Sequence, residues 1–269
     1  MKKRQEGIIL IFVLMVLTTF SLLGMGLAYR VRIENKLAGY FAANEEIVYL
    51  AKSKLNRIMP LIARDSNDYD SFEEDWSLRE EVDLDGGGSL KILVEDEDGK
   101  LDINNVTEAW LSNIDFVSQS LRDEILEKRP FFVKEEMLSL ENIKNRNLVL
   151  DEPDILDLVT VQKHDKININ TIREAVLKSV PGLSESAVDA ILSLRRNQPI
   201  EDMETLKDTG GISLNELQIL NKFLKTTSSF YTVKIRIEDG KNKIAKSFRV
   251  VLKKDVEAKS VEIIRWLEQ

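Results

Sequence analysis

Two hydrophobic patterns follow one another at the start of the chain. Three basic residues stand within residues 1–7, and no charged residue occurs from Ile8 to Ala28. As a helix, these 21 residues would rise about 31 Å, enough to cross the hydrocarbon layer of a bilayer. A cleaved secretory signal would have a shorter apolar run, and a buried core helix would have a polar face. We therefore predict a membrane-spanning helix, which the nearly balanced basic residues on its two sides do not orient.

The second pattern is amphipathic and continues the same helix. Apolar residues recur every three or four positions from Ile33 to Ile62, and charged residues fall on the other faces. Pro60 stands where such a helix would end or bend. We predict a single helix of about 50 residues that starts in the bilayer and ends on a soluble domain. The stripe from Ile33 to Ile62 is expected to be covered by that domain's sheet.

Alternating apolar and polar residues predict strands on both sides of a long helical stretch. Leu90, Ile92 and Val94 share one side of a strand that is expected to pair with Leu78–Leu84. Apolar residues also alternate before and after a predicted hairpin turn at Asp239-Gly240. They are Tyr231, Val233, Ile235, Ile237, Phe248, Val250 and Leu252. Val261–Trp266 fits either a last strand or a short helix, and the patterns between the two strand groups are helical.

Composition narrows the function further. The net charge of -8 argues against a general attraction to nucleic acid. The sequence has no cysteine, which excludes disulfides, thiolate metal sites and a cysteine nucleophile. Its single histidine, His164, cannot build a multi-histidine zinc site and is expected to be an exposed loop residue. No Gly-x-Ser-x-Gly elbow or other catalytic group of residues occurs, so no catalytic residue is assigned and we expect a non-enzyme.

A local motif lies at about residues 166–200. Two predicted helices flank Pro181-Gly182-Leu183, and the segment resembles a helix-hairpin-helix unit. Asn170 or Thr171 is expected to cap the first helix, with Glu174 placed for a capping box.

Units of this kind bind DNA when their hairpin amides face phosphate and basic residues flank them. DNA-binding hairpins usually carry a second glycine where this chain has Ser184, and the acidic segment Glu201–Glu204 follows the motif. We therefore favour a structural role for the hairpin. A membrane-anchored DNA-binding or DNA-uptake protein is the alternative function.

The N-terminus resembles that of a class III prepilin. A short basic leader ends in Gly7, and the apolar helix starts directly at Ile8. The resemblance implies that a membrane prepilin peptidase cuts between Gly7 and Ile8 and that Ile8 is then N-methylated. Most such proteins have glutamate at the fifth mature position, where this chain has Phe12. In that group the glutamate neutralises the amine of a neighbouring subunit inside the membrane, so Phe12 suits a subunit with none above it.

Several sequence blocks, in this order, extend the resemblance over nearly the whole chain. They are the Gly7–Ile8 junction, Phe12, the long helix, Glu97–Asn104, Lys166–Thr171 and Ser228–Tyr231. On these features the chain resembles the general secretion pathway protein K (GspK) family, the minor pseudopilins of type II secretion. The resemblance implies an α+β fold, with a pilin-like N-terminal helix packed on an antiparallel sheet and a large inserted all-α domain of SAM-like or helix-hairpin-helix type.

The implied domain organisation has five parts. They are a leader at 1–7, the pilin helix at 8–62, the first part of the sheet at 63–104, the insertion at 105–228 and the returning strands at 229–269. The implied protein is single-pass in the inner membrane, with a cytoplasmic N-terminus and a periplasmic C-terminal domain.

The implied role is assembly of a pseudopilus tip. The partners would be minor pseudopilins of the I and J types, then the H type, together with the major pseudopilin, the prepilin peptidase and inner-membrane lipid. No nucleic acid is expected. No cofactor is required, but calcium at an irregular site stays open, because some members of the family bind calcium in the inserted domain. The acidic segments beginning at Glu81 and Asp96 lack the closing glutamate of an EF-hand, so no calcium ligand is assigned.

Overall fold

The computed structural model describes residues 2–115, 117–144 and 155–268, with the side chains of all of these except 2–9 and 144. Met1 of the predicted leader and residues 145–154 of the predicted insertion lie outside the described residues.

Helices and strands form separate runs along the chain, as in an α+β fold. The helices are α1 (Lys2–Arg64), α2 (Glu108–Leu111), α3 (Gln119–Lys128), α4 (Glu141–Lys144), α5 (Ile155–Leu158), α6 (Glu174–Lys178), α7 (Glu185–Asn197) and α8 (Leu214–Phe223). The strands are β1 (Arg79–Leu84), β2 (Gly88–Asp96), β3 (Leu101–Asp102), β4 (Val159–Thr160), β5 (Ile167–Asn168), β6 (Leu224–Lys225), β7 (Phe230–Asp239), β8 (Ile244–Asp255) and β9 (Ser260–Glu268). Lys134–Ser139 and Met203–Asp208 form 3₁₀ helices.

Helix α1 is the long helix that the sequence predicts, and it ends two residues beyond Ile62. Pro60 lies inside its last two turns, where α1 nevertheless continues to Arg64. One face of its C-terminal part is buried at a spacing of three to four residues, as an amphipathic helix requires. The buried residues of this face are Ala43, Ile47, Ala51, Leu55, Ile58 and Ile62.

That face packs on an antiparallel sheet. Among the described strands, the order in this sheet is β1-β2-β7-β8-β9, and each neighbouring pair is antiparallel. The alternating residues predicted from the sequence point to α1 and share its apolar core with Trp76. The predicted pairing of Leu78–Leu84 is confirmed by β1 and β2, and residues 260–268 form a strand and not a helix.

The insertion has a hydrophobic core of its own. It leaves the sheet after β2 and returns at β7. The end of β2 and the start of β7 are neighbours in the sheet, where Asp96 pairs with Tyr231. Its core comes from helices α2 to α8 and the segments between them. The insertion is mainly helical, and short parallel pairs tie it together: β3 with β4, and β5 with β6.

The insertion lies at the end of the sheet that is farthest from the apolar half of α1. Lys254, near the end of β8, contacts Asp65, which directly follows the C-terminus of α1. The amide of Lys254 donates to Ser229, just before β7, where the insertion returns. The C-terminal end of α1 and the base of the insertion therefore share one end of the sheet, and the apolar half of α1 projects from the other.

Candidate functional site

The first half of α1 is apolar and bare. Large apolar side chains from Leu10 to Leu27 are exposed, including Phe12 at 65%. By length and composition this helix could cross a membrane, since its most apolar window has a mean hydropathy of 2.3 and is wholly unburied. Thr18 and Thr19 donate their hydroxyls to the carbonyl of Met15 at 2.9 and 2.8 Å, which satisfies both groups without water. The segment is therefore chemically suited to a bilayer.

The predicted processing residues lie at the start of the same helix. Gly7 and Ile8 are on the helical backbone of α1, one turn before Phe12. Phe12 is exposed on a continuous helix, so most of its side chain is not covered by the described residues.

The prediction that the sheet covers the whole stripe from Ile33 to Ile62 is wrong for its first third. Four apolar residues of that part are exposed to between 41% and 64%: Ile33, Leu37, Tyr40 and Phe41. The reason is length, because strands of 9–12 residues extend about 30–40 Å, which matches roughly 20 helical residues. The sheet therefore covers α1 only from Ala43 onward, and a bare apolar section separates it from the predicted membrane span.

A cluster of buried polar residues connects the sheet, the end of α1 and the insertion. We call this cluster the polar joint, and its members are Asp70, Asp96, Asn168, Ser228 and Tyr231. Asp96 Oδ2 accepts from Thr171 Oγ1 at 2.5 Å, Ser228 Oγ at 2.6 Å and Asn168 Nδ2 at 3.1 Å. Asn168 Nδ2 also donates to the carbonyl of Asp70 at 2.9 Å. Burial and the neighbouring Asp98 raise the pKa of Asp96 to about 6.

Asp70 supplies the second carboxylate of the polar joint. It accepts from the amide of Ser228 at 2.7 Å and from the Tyr231 hydroxyl. Lys254 Nζ lies 3.2 Å from it. Burial raises the pKa of Asp70 to about 7, although Lys254 and Tyr231 oppose this shift. Asp98 beside the joint is held by Lys225 Nζ at 2.5 Å, so the carboxylates here have partners within the chain.

An ion-pair cluster adjoins the polar joint on the insertion side. Lys100 Nζ lies 2.7 Å from Glu97 and 2.8 Å from Glu95. Burial opposes the charge of Glu97, but Lys100 and Lys134 outweigh it and lower the pKa of Glu97 to about 2. The block Glu97–Asn104 noted in the sequence therefore serves to fasten the base of the insertion to the sheet.

The acidic stretch after α1 contains a cluster of three carboxylates spaced like metal ligands. Asp65, Asp70 and Glu74 each have an oxygen within 4.8 Å of the others. A lysine already occupies the cation position, since Lys254 Nζ is 2.7 Å from Asp65 and 3.2 Å from Asp70. Glu74 accepts from the Ser71 amide and from the Trp76 indole. This donor set does not fit calcium, which prefers six to eight oxygens and no ammonium among them.

Two sequence predictions about single residues are corrected here. Arg173, and not Asn170 or Thr171, is the N-cap of α6, and it makes no side-chain cap hydrogen bond. Asn170 instead pairs with the backbone of Ile200 at 2.8 and 3.0 Å, and Thr171 donates its hydroxyl to Asp96 of the polar joint. His164 is a loop residue but only half exposed, because its ring nitrogens contact the carbonyls of Gln162 and Lys100.

The helix-hairpin-helix region holds two hairpins that face each other. The first joins α6 to α7 through Gly182, and the second leads into α8 through Gly211, both at positive φ. Glu216 bridges them: Oε1 accepts from the amide and hydroxyl of Ser184 at 3.0 and 2.5 Å, and Oε2 from those of Ser213 at 2.8 and 2.6 Å. This second hairpin was not predicted from the sequence, although Ser213-x-x-Glu216 has the spacing of a capping box.

The charges of this region do not form a basic surface. Residues 162–225 contain nine basic and nine acidic residues, a net charge of zero. Arg195 donates to the carbonyls of Ile169 and Ile172, and Lys166 to that of Asn221. Lys178 pairs with Glu174. Phosphate binding usually needs an excess of free Lys and Arg, which this region does not offer.

Comparison with known proteins agrees with this architecture. Residues 162–225 match the family described as helix-hairpin-helix motif. No curated protein sequence matches the chain significantly. Among solved structures, the chain is similar to a chain of the GspK-GspI-GspJ complex of the type 2 secretion system of enterotoxigenic Escherichia coli. That likeness has a TM-score of 0.57 at 12% identity, and it covers 84% of this chain and 96% of the other.

The fold is therefore pilin-like, with a long N-terminal helix, an α+β core and a helical insertion that contains a helix-hairpin-helix motif. Within that class it is GspK-like, as the sequence resemblance implied.

Proposed function

We propose that this chain is a minor pseudopilin of a type II secretion system that helps to initiate a periplasmic pseudopilus. The observation that carries the proposal is the division of α1. Its first half is apolar and bare, its second half is buried under a sheet, and a large insertion lies at the opposite end of that sheet. A solved chain from a GspK-GspI-GspJ complex has a similar fold over 84% of the present chain, which supports the proposal. The role is assembly and not catalysis.

The proposal places the protein in the inner membrane by a single pass. The basic leader 1–7 lies in the cytoplasm, the peptidase cuts between Gly7 and Ile8, and Ile8 is methylated. The sheet and the insertion then lie in the periplasm. Phe12 leaves the mature chain without the acidic side chain that would neutralise the amine of a subunit above it. The proposal therefore places this subunit at the top of the pseudopilus, where no subunit lies above it.

The bare section of α1 is the surface that the proposal assigns to partners. Ile33, Leu37, Tyr40 and Phe41 present apolar side chains above the membrane span and below the sheet. Helices of I-type and J-type minor pseudopilins would cover these residues, followed by the H type and the major pseudopilin. Burying them would gain roughly 25 cal/mol per Å² of apolar surface, which is the usual driving force for such association.

Co-expression with a prepilin peptidase tests the proposal. We expect a mature chain that starts at Ile8, identified by N-terminal sequencing and intact mass, with a methylated amine. The same chain carrying Gly7→Val, expressed beside it, should remain uncut because a branched side chain replaces the glycine at the junction. A product that keeps Met1, or one cut near Ala28, would refute the proposal.

The helix-hairpin-helix match at 162–225 is the observation that favours the alternative, a membrane-anchored DNA-binding protein. Binding of the detergent-solubilised chain to duplex DNA, weakening steeply with salt, would support it. The neutral charge of that region and its internally bonded basic residues argue for the assembly role.

A further inference from the structure

The two hairpins of the helix-hairpin-helix region are turned toward each other. A Cβ added to Gly182 would come within 2.9 Å of Ile219 on α8, and one added to Gly211 within 3.3 Å of the Ser186 carbonyl on α7. Each hairpin glycine therefore allows close packing on the helix of the other hairpin. Glycines in phosphate-binding hairpins have the opposite use, because they let the backbone approach a ligand.

Four donors of the two hairpins converge on one carboxylate. The amides and hydroxyls of Ser184 and Ser213 all donate to Glu216, at 2.5–3.0 Å. These two serines are also the N-caps of α7 and α8, where a helix attracts negative charge. The side-chain hydrogen bonds from Ser184 and Ser213 lower the pKa of Glu216 to about 2, so this carboxylate is ionised at neutral pH.

We propose that Glu216 prevents this hairpin pair from binding phosphate. Its hydrogen bonds with Ser184 and Ser213 would then keep the unit from binding a nucleic-acid backbone. The carboxylate takes the amide and hydroxyl donors that a phosphate would need, and its negative charge repels a phosphate from the same place. The zero net charge of residues 162–225 is an independent observation in the same direction. The inference does not depend on the assembly role, because it concerns only what the hairpin pair can bind.

The experiment compares the full detergent-solubilised chain with three variants. Glu216→Ala removes the carboxylate, and Glu216→Gln keeps its shape without the charge. Glu204→Ala is the matched control, since it removes an exposed acid of the same region whose ion-pair partner among the described residues is Lys207. A labelled duplex DNA oligonucleotide at low salt serves as the probe, with binding followed by fluorescence anisotropy.

We expect the wild type and Glu204→Ala to bind the duplex equally weakly and Glu216→Ala to bind at least tenfold more tightly, with a salt dependence that the wild type lacks. Inorganic phosphate should raise the melting temperature of Glu216→Ala alone. The proposal is overturned if the wild type already binds as tightly as Glu216→Ala. It is equally overturned if folded Glu216→Ala binds no better than the control. Circular dichroism reports folding, and Glu216→Gln replaces the alanine variant if that variant does not fold, with a smaller gain expected.

Discussion

Asn168 shows how one side chain can hold distant parts of the chain together. Its amide nitrogen donates to Asp96, to Ser228 and to the carbonyl of Asp70, and its oxygen accepts from the amide of Asn170. These partners belong to β2, to the segment before β7, to the loop after α1 and to the insertion. Asn168 is fully buried, so water cannot replace any of these bonds.

Replacing Asn168 by alanine is expected to destabilise the protein by roughly 3 kcal/mol, because buried donors and acceptors lose their partners. Urea unfolding of the detergent-solubilised chain, followed by tryptophan fluorescence, measures the change. Asn197→Ala is the matched control, since the Asn197 side chain is exposed and its hydrogen bond within the described part of the chain goes to the Ser193 carbonyl of its own helix. Equal stability of the two variants would show that the polar joint contributes little.

The carboxylates of the polar joint also predict a pH dependence. The pKa of Asp96 is raised from its ordinary 3.8 to about 6, so the folded state binds a proton more tightly than the unfolded state. Its contribution to stability is therefore fully present below pH 3.8 and is lost as the pH rises through about 6. Asp70, with a pKa raised to about 7, acts in the same direction.

We expect the free energy of unfolding to be higher at pH 5 than at pH 7, with Asp96 contributing about 1 kcal/mol. Chemical denaturation at the two pH values measures this difference. In Asp96→Asn the difference should shrink, because one of the titrating groups is gone. Below about pH 4 stability should fall again, as Glu97, whose folded pKa is about 2, takes up protons more readily in the unfolded state. A wild type that is less stable at pH 5 than at pH 7 would contradict the prediction.

Local sequence rules failed where the partner was distant. Asn170 and Thr171 look like helix caps because each is a capping residue type just before a helix. In the structure Thr171 bonds Asp96, which lies 75 residues away, and Asn170 bonds Ile200, 30 residues away. Partners so far apart in sequence cannot be identified from a local sequence pattern. Glu216 differs, because half of its contacts form a local capping box with Ser213 and could have been read from the spacing.

At the scale of elements, the length of the sheet decides which part of α1 is structural. Leu55 is 2% exposed in the core between α1 and the sheet, whereas Leu37 is 50% exposed on the same helix. The two leucines therefore test the same substitution in opposite environments.

Leu55→Asp is expected to unfold the soluble part, because an unpaired charge in an apolar core costs at least about 4 kcal/mol. Leu37→Asp should leave the melting temperature within a few degrees of wild type. Thermal unfolding by circular dichroism distinguishes the two. If Leu37→Asp unfolded as readily as Leu55→Asp, the bare section of α1 would be part of the fold and not a free surface.

Elements with strong periodicity were predictable and those fixed by tertiary contacts were not. The C-terminal part of helix α1 and strands β2, β7 and β8 follow from spacing alone, because each buries one continuous face. Strand β1 has no fully buried residue and was predicted only as the pairing partner of β2. The region of β9 was ambiguous, since Ile263 and Ile264 are both apolar and both exposed. The cause is an irregularity in the pairing of β8 with β9 between Val251 and Leu252. It disturbs the alternation of side chains in β9 at Ile263 and Ile264.

At the scale of the whole molecule, the two ends differ in chemistry. One end is the bare apolar half of α1, and the other carries the insertion on the polar joint. The insertion has its own core, and its contacts with the joint fix it to the end of the sheet rather than beside α1. A change near the start of α1 should therefore not reach the fold of the sheet or the insertion.

Phe12→Glu tests this separation together with the proposed place in the stack. We expect the soluble part to keep its melting temperature, because Phe12 is 65% exposed and is absent from the buried cores of the sheet and of the described part of the insertion. Assembly should change, since the variant gains the acidic side chain that lets a subunit join below an existing one. The measurement is the amount of this chain recovered per major pseudopilin in sheared filaments, which should rise from a tip-like trace toward internal incorporation. Phe12→Leu is the matched control and should behave as wild type. A Phe12→Glu chain with an unfolded soluble part would contradict the separation of the two ends, and a folded one with unchanged recovery would contradict the role assigned to Phe12.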